Sequence, residues 1–456
     1  MAKDFSQGKV SRLILAQAIP ITVAQFVHIL YNIVDRAYIG HMEGIGSMAL
    51  SGVGLVFPLT TLILAFTSMF GNGGSPLFAI ARGAGEEKQA EEILGQVTAL
   101  LLTSSVILFA VCYIFRRPVL YAFGASDDTY YYANLYLRIY LLGTPFTMLA
   151  TGLNGFINAQ GFPRIGMGTI LIGAILNLIL DPIFIFALGM GVQGAALATI
   201  ISQFASMCWS LSFFFGKKSA YRIRRTNMRL KLSQVKEICS LGVASFIVQG
   251  TNSLVQIVCN KTLHTYGGDL YIGIMTVINS VREVLSLPGN GIATGSQPVI
   301  SFNYGAAKYS RVRASIRFTG VLGFVYLTAA WLVVLFFPAQ IMGLFTTDTE
   351  LIALGQESLK LYFYGFFFMA FQFLGQSTFT AMKCPKRSIF FSLFRKVIIV
   401  VPLTLLLPQL GLGVAGVFLA EPISNCVGGL ASCTTMLLTV YRKLPKEDHE
   451  VADVIV

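Results

Sequence analysis

The stretch G-M-G-V-Q-G-A-A-L-A at residues 189–198 returns as G-L-G-V-A-G-V-F-L-A at residues 411–420, 222 positions later. The same interval relates landmarks along the rest of the chain. Pro76-x6-Gly83-Ala84-Gly85 becomes Pro298-x6-Gly305-Ala306-Ala307, and Ala159 and Pro163 become Ala381 and Pro385. A constant offset means two copies of equal length with the same punctuation. Each copy is hydrophobic enough for about six membrane crossings, and a duplicated unit of that size is a common way of building a transporter around a central site. The expected fold is therefore an all-α integral membrane protein with twelve transmembrane helices, arranged as two six-helix bundles related by an internal repeat.

Composition supports this. The chain is 55% hydrophobic and only 12% charged, with a mean hydropathy of +0.71, which excludes an ordinary soluble domain. Apolar runs near the length needed to cross a bilayer fall at 13–38, 50–72, 93–115, 131–153, 165–187 and 193–215, then at 238–262, 270–297, 314–337, 357–380, 389–408 and 413–440. The boundaries expected from these runs are an N-terminal bundle over 1–216, a basic linker over 217–236, a C-terminal bundle over 237–443 and a tail over 444–456. No small-residue cleavage site follows the first run, so it reads as a retained span.

The net charge of +12 is distributed as a membrane protein requires. With the N-terminus inside and the spans alternating, 26 of the 33 basic residues fall on inner segments, Arg395 and Lys396 among them. That asymmetry places both termini in the cytoplasm of a multi-pass plasma-membrane protein. The run K-K-S-A-Y-R-I-R-R-T-N-M-R-L-K (217–231) suits anionic membrane lipid and gives no reason to expect nucleic acid. The seven cysteines are scattered without a CxxC pair, and the four histidines (28, 41, 264 and 449) are dispersed, so neither a disulfide framework nor a metal site is expected.

Acids inside spans are costly and mark function by default. Four are present: Asp35, Asp181, Glu283 and Glu421. Tyr31 and Asp35 stand four apart, as do Asn177 and Asp181, so each pair shares a helix face. Asn32 lies near the first face. Against a functional role, Arg36 follows Asp35, although adjacent residues project about 100° apart on a helix, and Asp181 precedes Pro182, where a kink alone would explain the step.

Y-N-I-V-D-R-A-Y-I-G (31–40) and N-L-I-L-D-P-I-F-I-F (177–186), together with the two P-x6-G-A-[GA] turns and the two G-x-G-V-x-G segments, resemble the signatures of multidrug and toxic compound extrusion (MATE) transporters. The resemblance covers essentially the whole chain. It implies a cofactor-free monomer that exports small-molecule organic cations in exchange for H+ or Na+, with no enzymatic activity. It also implies an N-lobe cation site at Asp35, Asn177, Asp181 and Thr199, lined by Tyr31, where Na+ would be held by Asp35, Asn177 and Asp181. The chain departs from members with a C-lobe cation site, offering Gln249 in the seventh span and only Glu357, near the mouth, for the tenth. Glu283, Asn32, Asn154, Gln249 and Met69 are the expected substrate contacts. The aromatic stock, including Tyr362–Phe373, Phe66 and Phe70, suits organic cations as well as ordinary packing. A flippase for a lipid-linked saccharide is the competing transport reading, although its cavity should be strongly basic and the intramembrane bases are few: Arg36, Arg138, Lys261 and Arg282. No HExxH, G-x-S-x-G or P-loop motif points to an enzyme.

Overall fold

In hydrocarbon every backbone N–H and C=O must be satisfied within the chain, which leaves the helix as the economical solution for long apolar runs. The computed structural model describes residues 4–42, 46–345 and 348–448, and these are helical almost throughout, with no strand among them. Nine of the helical stretches among the described residues are long and apolar enough to cross a membrane: Val10–Gly40, Met48–Gly83, Glu87–Ile114, Pro163–Ala187, Gly191–Phe215, Leu232–Gly268, Leu270–Gly305, Tyr309–Phe336 and Pro385–Lys443. The last holds two spans, because Gly411 and Gly413 turn the backbone at φ 94° and 52°. The fourth and tenth spans complete the twelve, and both are broken.

The breaks have local causes. The fourth span runs as Asp127–Leu142, Thr144–Gly152 and Asn154–Ala159. It stops at Gly143, just before Pro145, whose missing N–H cannot continue the ladder. The tenth runs as Thr349–Tyr362 and Met369–Ala381, interrupted at Gly365 with φ +69°. These two glycines are again 222 residues apart. The repeat is written in the backbone as well as in the sequence. Positive φ occurs at Gly85 and Ala307, at Gly161 and Lys383, at Gly189 and Gly411, and at Gly191 and Gly413. Each pair is separated by that same interval, so the second copy keeps a left-handed turn even where its glycine has been replaced.

The described residues form two compact units. One takes Val23–Gly242, and the other takes Phe5–Thr22 together with Val243 onward. The first helix therefore contributes to both, changing allegiance two residues after its internal Pro20. The first unit packs Phe78 edge-on to Phe156 and Tyr221, with ring centroids 5.3 and 5.1 Å away. Its basic segment is held by Glu91 and Glu92, through Arg224 at 3.6 Å and Lys231 at 2.6 Å. In the second unit Phe5, fully buried, packs on Phe302, and Arg311 donates to the carbonyls of Phe5 and Gln7 at 3.0 and 3.2 Å. The aromatic run beginning at Tyr362 is mainly core: Phe363 and Phe366 are fully buried.

A left-handed non-glycine residue costs about 1–2 kcal/mol, which glycine avoids at a smaller entropic cost. Ala307→Gly is therefore expected to stabilise the protein by up to about 1 kcal/mol, and Gly85→Ala, which meets no neighbour within 4 Å, to destabilise it by about 1 kcal/mol. Thermal unfolding of the two purified variants checks both signs.

Candidate functional site

The helix Pro163–Pro182 ends on an acid it cannot leave unanswered. Asp181 and Asn177 are one turn apart and almost fully buried, and Asn177 Nδ2 donates to Asp181 Oδ1 at 3.2 Å. The same amide reaches Thr199 Oγ1 at 3.5 Å on the next helix, and the threonine hydroxyl donates back to Ala195 O at 2.9 Å. Pro182 removes a backbone donor, and the chain widens into a π-turn over Ile183–Ala187, closed by Leu188 N–H to Ile183 O at 2.8 Å. Such turns occur frequently at functional sites.

Asp35 enters from the first helix and lies close to Asp181. Its Oδ1 is buried and accepts no hydrogen bond. Two carboxylates have only acceptors to offer each other. Their contact is stable when one proton lies between them or when a cation takes oxygens from both. The arrangement is thus able to bind a monovalent cation, and the oxygens of Asp35, Asp181, Asn177 and Thr199 fit a hard ion.

Three tyrosines surround the pair. Tyr31 lies beside both acids, Tyr136 lies near Thr199, and Tyr140 stacks on Tyr136 at 5.8 Å. Sequence reading missed Tyr136 and Tyr140, although their four-residue spacing on the fourth span is the signal that singled out Tyr31 with Asp35. Arg36 does not pair with Asp35; its guanidinium lies 5.2 Å from the Phe57 ring centroid.

The expected substrate contacts are divided between the two units. Asn32 turns back on its own helix, donating to His28 O at 2.7 Å. Asn154 donates to Gly166 O at 3.1 Å and joins two segments of the first unit. Met69 is half-buried in the first unit, and in the second Gln249 is half-buried and Glu283 exposed. His449 lies outside the described residues.

Glu421 has a different answer to burial. Its Oε1 accepts from Arg395 Nη1 at 3.1 Å, Lys396 Nζ at 3.1 Å and Arg282 Nη1 at 3.5 Å. Arg395 and Lys396, expected on an inner segment, are instead enclosed within the second unit, on the π-turn Phe394–Val400 of the eleventh span. A base near a span end is ambiguous in sequence, and the buried carboxylate opposite resolves it. Intramembrane bases therefore number more than sequence reading allowed.

A duplicated bundle of membrane-spanning helices has the architecture of a membrane transporter. The MatE family model matches residues 20–183 and again 244–406, one match per repeat, and the chain belongs to this family of multi-pass transporters, which are not enzymes. It is 26% identical over 359 residues to the multidrug export protein MepA of Staphylococcus haemolyticus strain JCSC1435, and 25% identical over 362 residues to that of Staphylococcus aureus strain MSSA476, covering 78% of each protein and of this chain. Solved MATE structures in the straight and bent conformations each match with a TM-score of 0.90 at 23% identity, over 96% of this chain and 98% of theirs, which establishes the shared fold.

Removing one partner from a buried ion cluster leaves uncompensated charge, at a cost of about 3–5 kcal/mol. Glu421→Ala is expected to destabilise the protein by that amount, and adding Lys396→Met to recover part of it. Denaturation of the single and double variants in detergent measures both.

Proposed function

We propose that this transporter exports organic cations from the cell in exchange for H+ or Na+, with Asp35 and Asp181 as the coupling pair. The observation that carries the proposal is that half-buried Asp35 of the first span and buried Asp181 of the fifth come together, with no ion pair to either among the described residues. Relatives named multidrug export proteins support the cargo class. Under this reading the two bundles, 1–216 and 237–443, are the moving lobes, the linker lies against the inner leaflet, both termini are cytoplasmic and the working unit is a monomer.

The physical logic is a competition for negative charge. With the pair ionised, a cationic substrate is attracted; when a proton or Na+ binds, that attraction is lost and the substrate is released. The ion drives transport only to the extent that it binds one conformation better than the other. Each charge crossing a 100 mV potential adds about 2.3 kcal/mol. Asn177 and Thr199 set the ion's affinity by holding Asp181 in place. Tyr31, Tyr136 and Tyr140 exclude water and offer hydroxyls at the rim. Glu283, Asn32, Asn154, Gln249 and Met69 stand as proposed substrate contacts, to be tested singly.

Efflux of a fluorescent lipophilic cation from pump-deficient cells tests the proposal. Wild type is expected to extrude the dye and Asp35→Asn, at equal membrane expression, to match the vector control. Collapsing the pH gradient and the sodium gradient in turn identifies the ion. Wild type that inserts correctly yet moves no dye would favour the lipid-linked-saccharide flippase. Asn177→Leu removes a hydrogen bond to a charged group worth about 1.5–3 kcal/mol, and is expected to shift apparent ion affinity about tenfold, toward tighter binding if the ion is H+ and weaker binding if it is Na+. A pH or sodium titration of dye efflux reads this shift.

A further inference from the structure

The second unit carries a buried charge imbalance that ion coupling in the first unit does not use. Arg282, Arg395 and Lys396 converge on one carboxylate, Glu421, and all three engage the same oxygen. Three cations against one anion leave an excess of positive charge inside a membrane-spanning unit. Arginine cannot discard its proton, and a buried charge without a counter-charge is costly. Asn425 helps by accepting from Arg395 Nη1 at 2.6 Å, but an amide oxygen carries no charge. Glu283, beside Arg282, is exposed and stands outside the buried group.

The geometry shows where the missing charge belongs. Arg282 binds Glu421 through Nη1 alone, at 3.5 Å, and its Nε is buried without a hydrogen-bond partner. The Nε–Nη2 edge, the fork that grips a planar oxyanion in two parallel hydrogen bonds, therefore makes no recorded contact. Arg282 is also the most accessible member of the cluster, its side chain 26% exposed against 12%, 7% and 5% for Arg395, Lys396 and Glu421. Arg282 is thus the member of the group most open to a ligand. Tyr362 adjoins the guanidinium, and Arg395 and Lys396 sit on a π-turn.

The repeat sharpens the contrast. Displaced by 222 residues, Glu421 is the counterpart of Thr199, Tyr362 of Tyr140, and Arg395-Lys396 of Gly173-Ala174, while Asp181 has Leu403 as its counterpart. The acids of the first unit and the bases of the second therefore stand at different repeat positions, around the shared Thr199/Glu421 and Tyr140/Tyr362 pairs.

We propose that the second unit holds an anion-binding site, in which the Nε–Nη2 edge of Arg282 binds an oxyanion of the carboxylate type and the Arg395–Lys396–Glu421 cluster supplies the surplus positive field. The assignment goes beyond cation-coupled export and does not depend on it.

Purified protein tested with benzoate, and with benzamide as its neutral isostere, at constant ionic strength decides the matter by thermal shift and equilibrium dialysis. Wild type is expected to bind benzoate saturably and to ignore benzamide. Arg282→Gln, which removes a surplus cation and so should fold, is expected to abolish binding. Arg282→Lys, which keeps the charge without the fork, should weaken binding about tenfold, and Asp35→Asn should bind as wild type. Repeating dialysis in phosphatidylcholine nanodiscs with and without phosphatidylglycerol identifies the source of the anion: competition by the anionic lipid assigns a headgroup, and its absence assigns a soluble carboxylate. Equal responses to benzoate and benzamide, or undiminished benzoate binding by both Arg282 variants, would overturn the proposal.

Discussion

A carboxylate enclosed in a bilayer-spanning bundle must be answered by a proton, a cation or a fixed base, because the low-polarity surroundings offer no water to screen it. The two halves of this protein give different answers to the same demand. In the first unit Asp35 and Asp181 lie close together with amide and hydroxyl groups around them. Under the proposed function their charge is answered by a mobile ion. In the second unit Glu421 is permanently answered, by Arg395, Lys396 and Arg282. On this proposal one acid site changes state and the other keeps it.

The duplicated backbone accommodates both. Turns with positive φ recur at the repeat interval, and Ala307 and Lys383 occupy positions where the first copy uses glycine. The main chain of a membrane bundle is tightly constrained, since each irregular turn must still satisfy its polar groups. The side chains facing the interior are free to diverge as long as charge is compensated locally. That freedom is how one repeat comes to hold two acids where the other has Ile257 and Leu403.

Much of this was legible in sequence. Constant spacing revealed the repeat, and hydropathy located the spans. Four-residue spacing put Tyr31 with Asp35 and Asn177 with Asp181, while Thr199 came from family resemblance. What escaped was set by tertiary contact. Tyr136 and Tyr140 look like ordinary aromatics until Thr199 and the acids are placed beside them. Arg395 and Lys396 look like an inner-segment pair until Glu421 is seen opposite. The amide donors of Asn32 and Asn154 are engaged by His28 O and Gly166 O, contacts that sequence alone does not show. The fourth and tenth spans read as continuous apolar runs because a hydropathy window averages across Gly143 and Gly365.

The central claim is that the Asp35–Asp181 pair couples transport to an ion. Its most direct test is dye transport by Asp181→Asn in proteoliposomes, comparing accumulation driven by an imposed proton or sodium gradient with dye-for-dye exchange at equilibrium. The account predicts that the variant retains exchange but loses gradient-driven accumulation, since the path remains while the ion site is gone. Accumulation by Asp181→Asn at the wild-type level under the same gradient would contradict it.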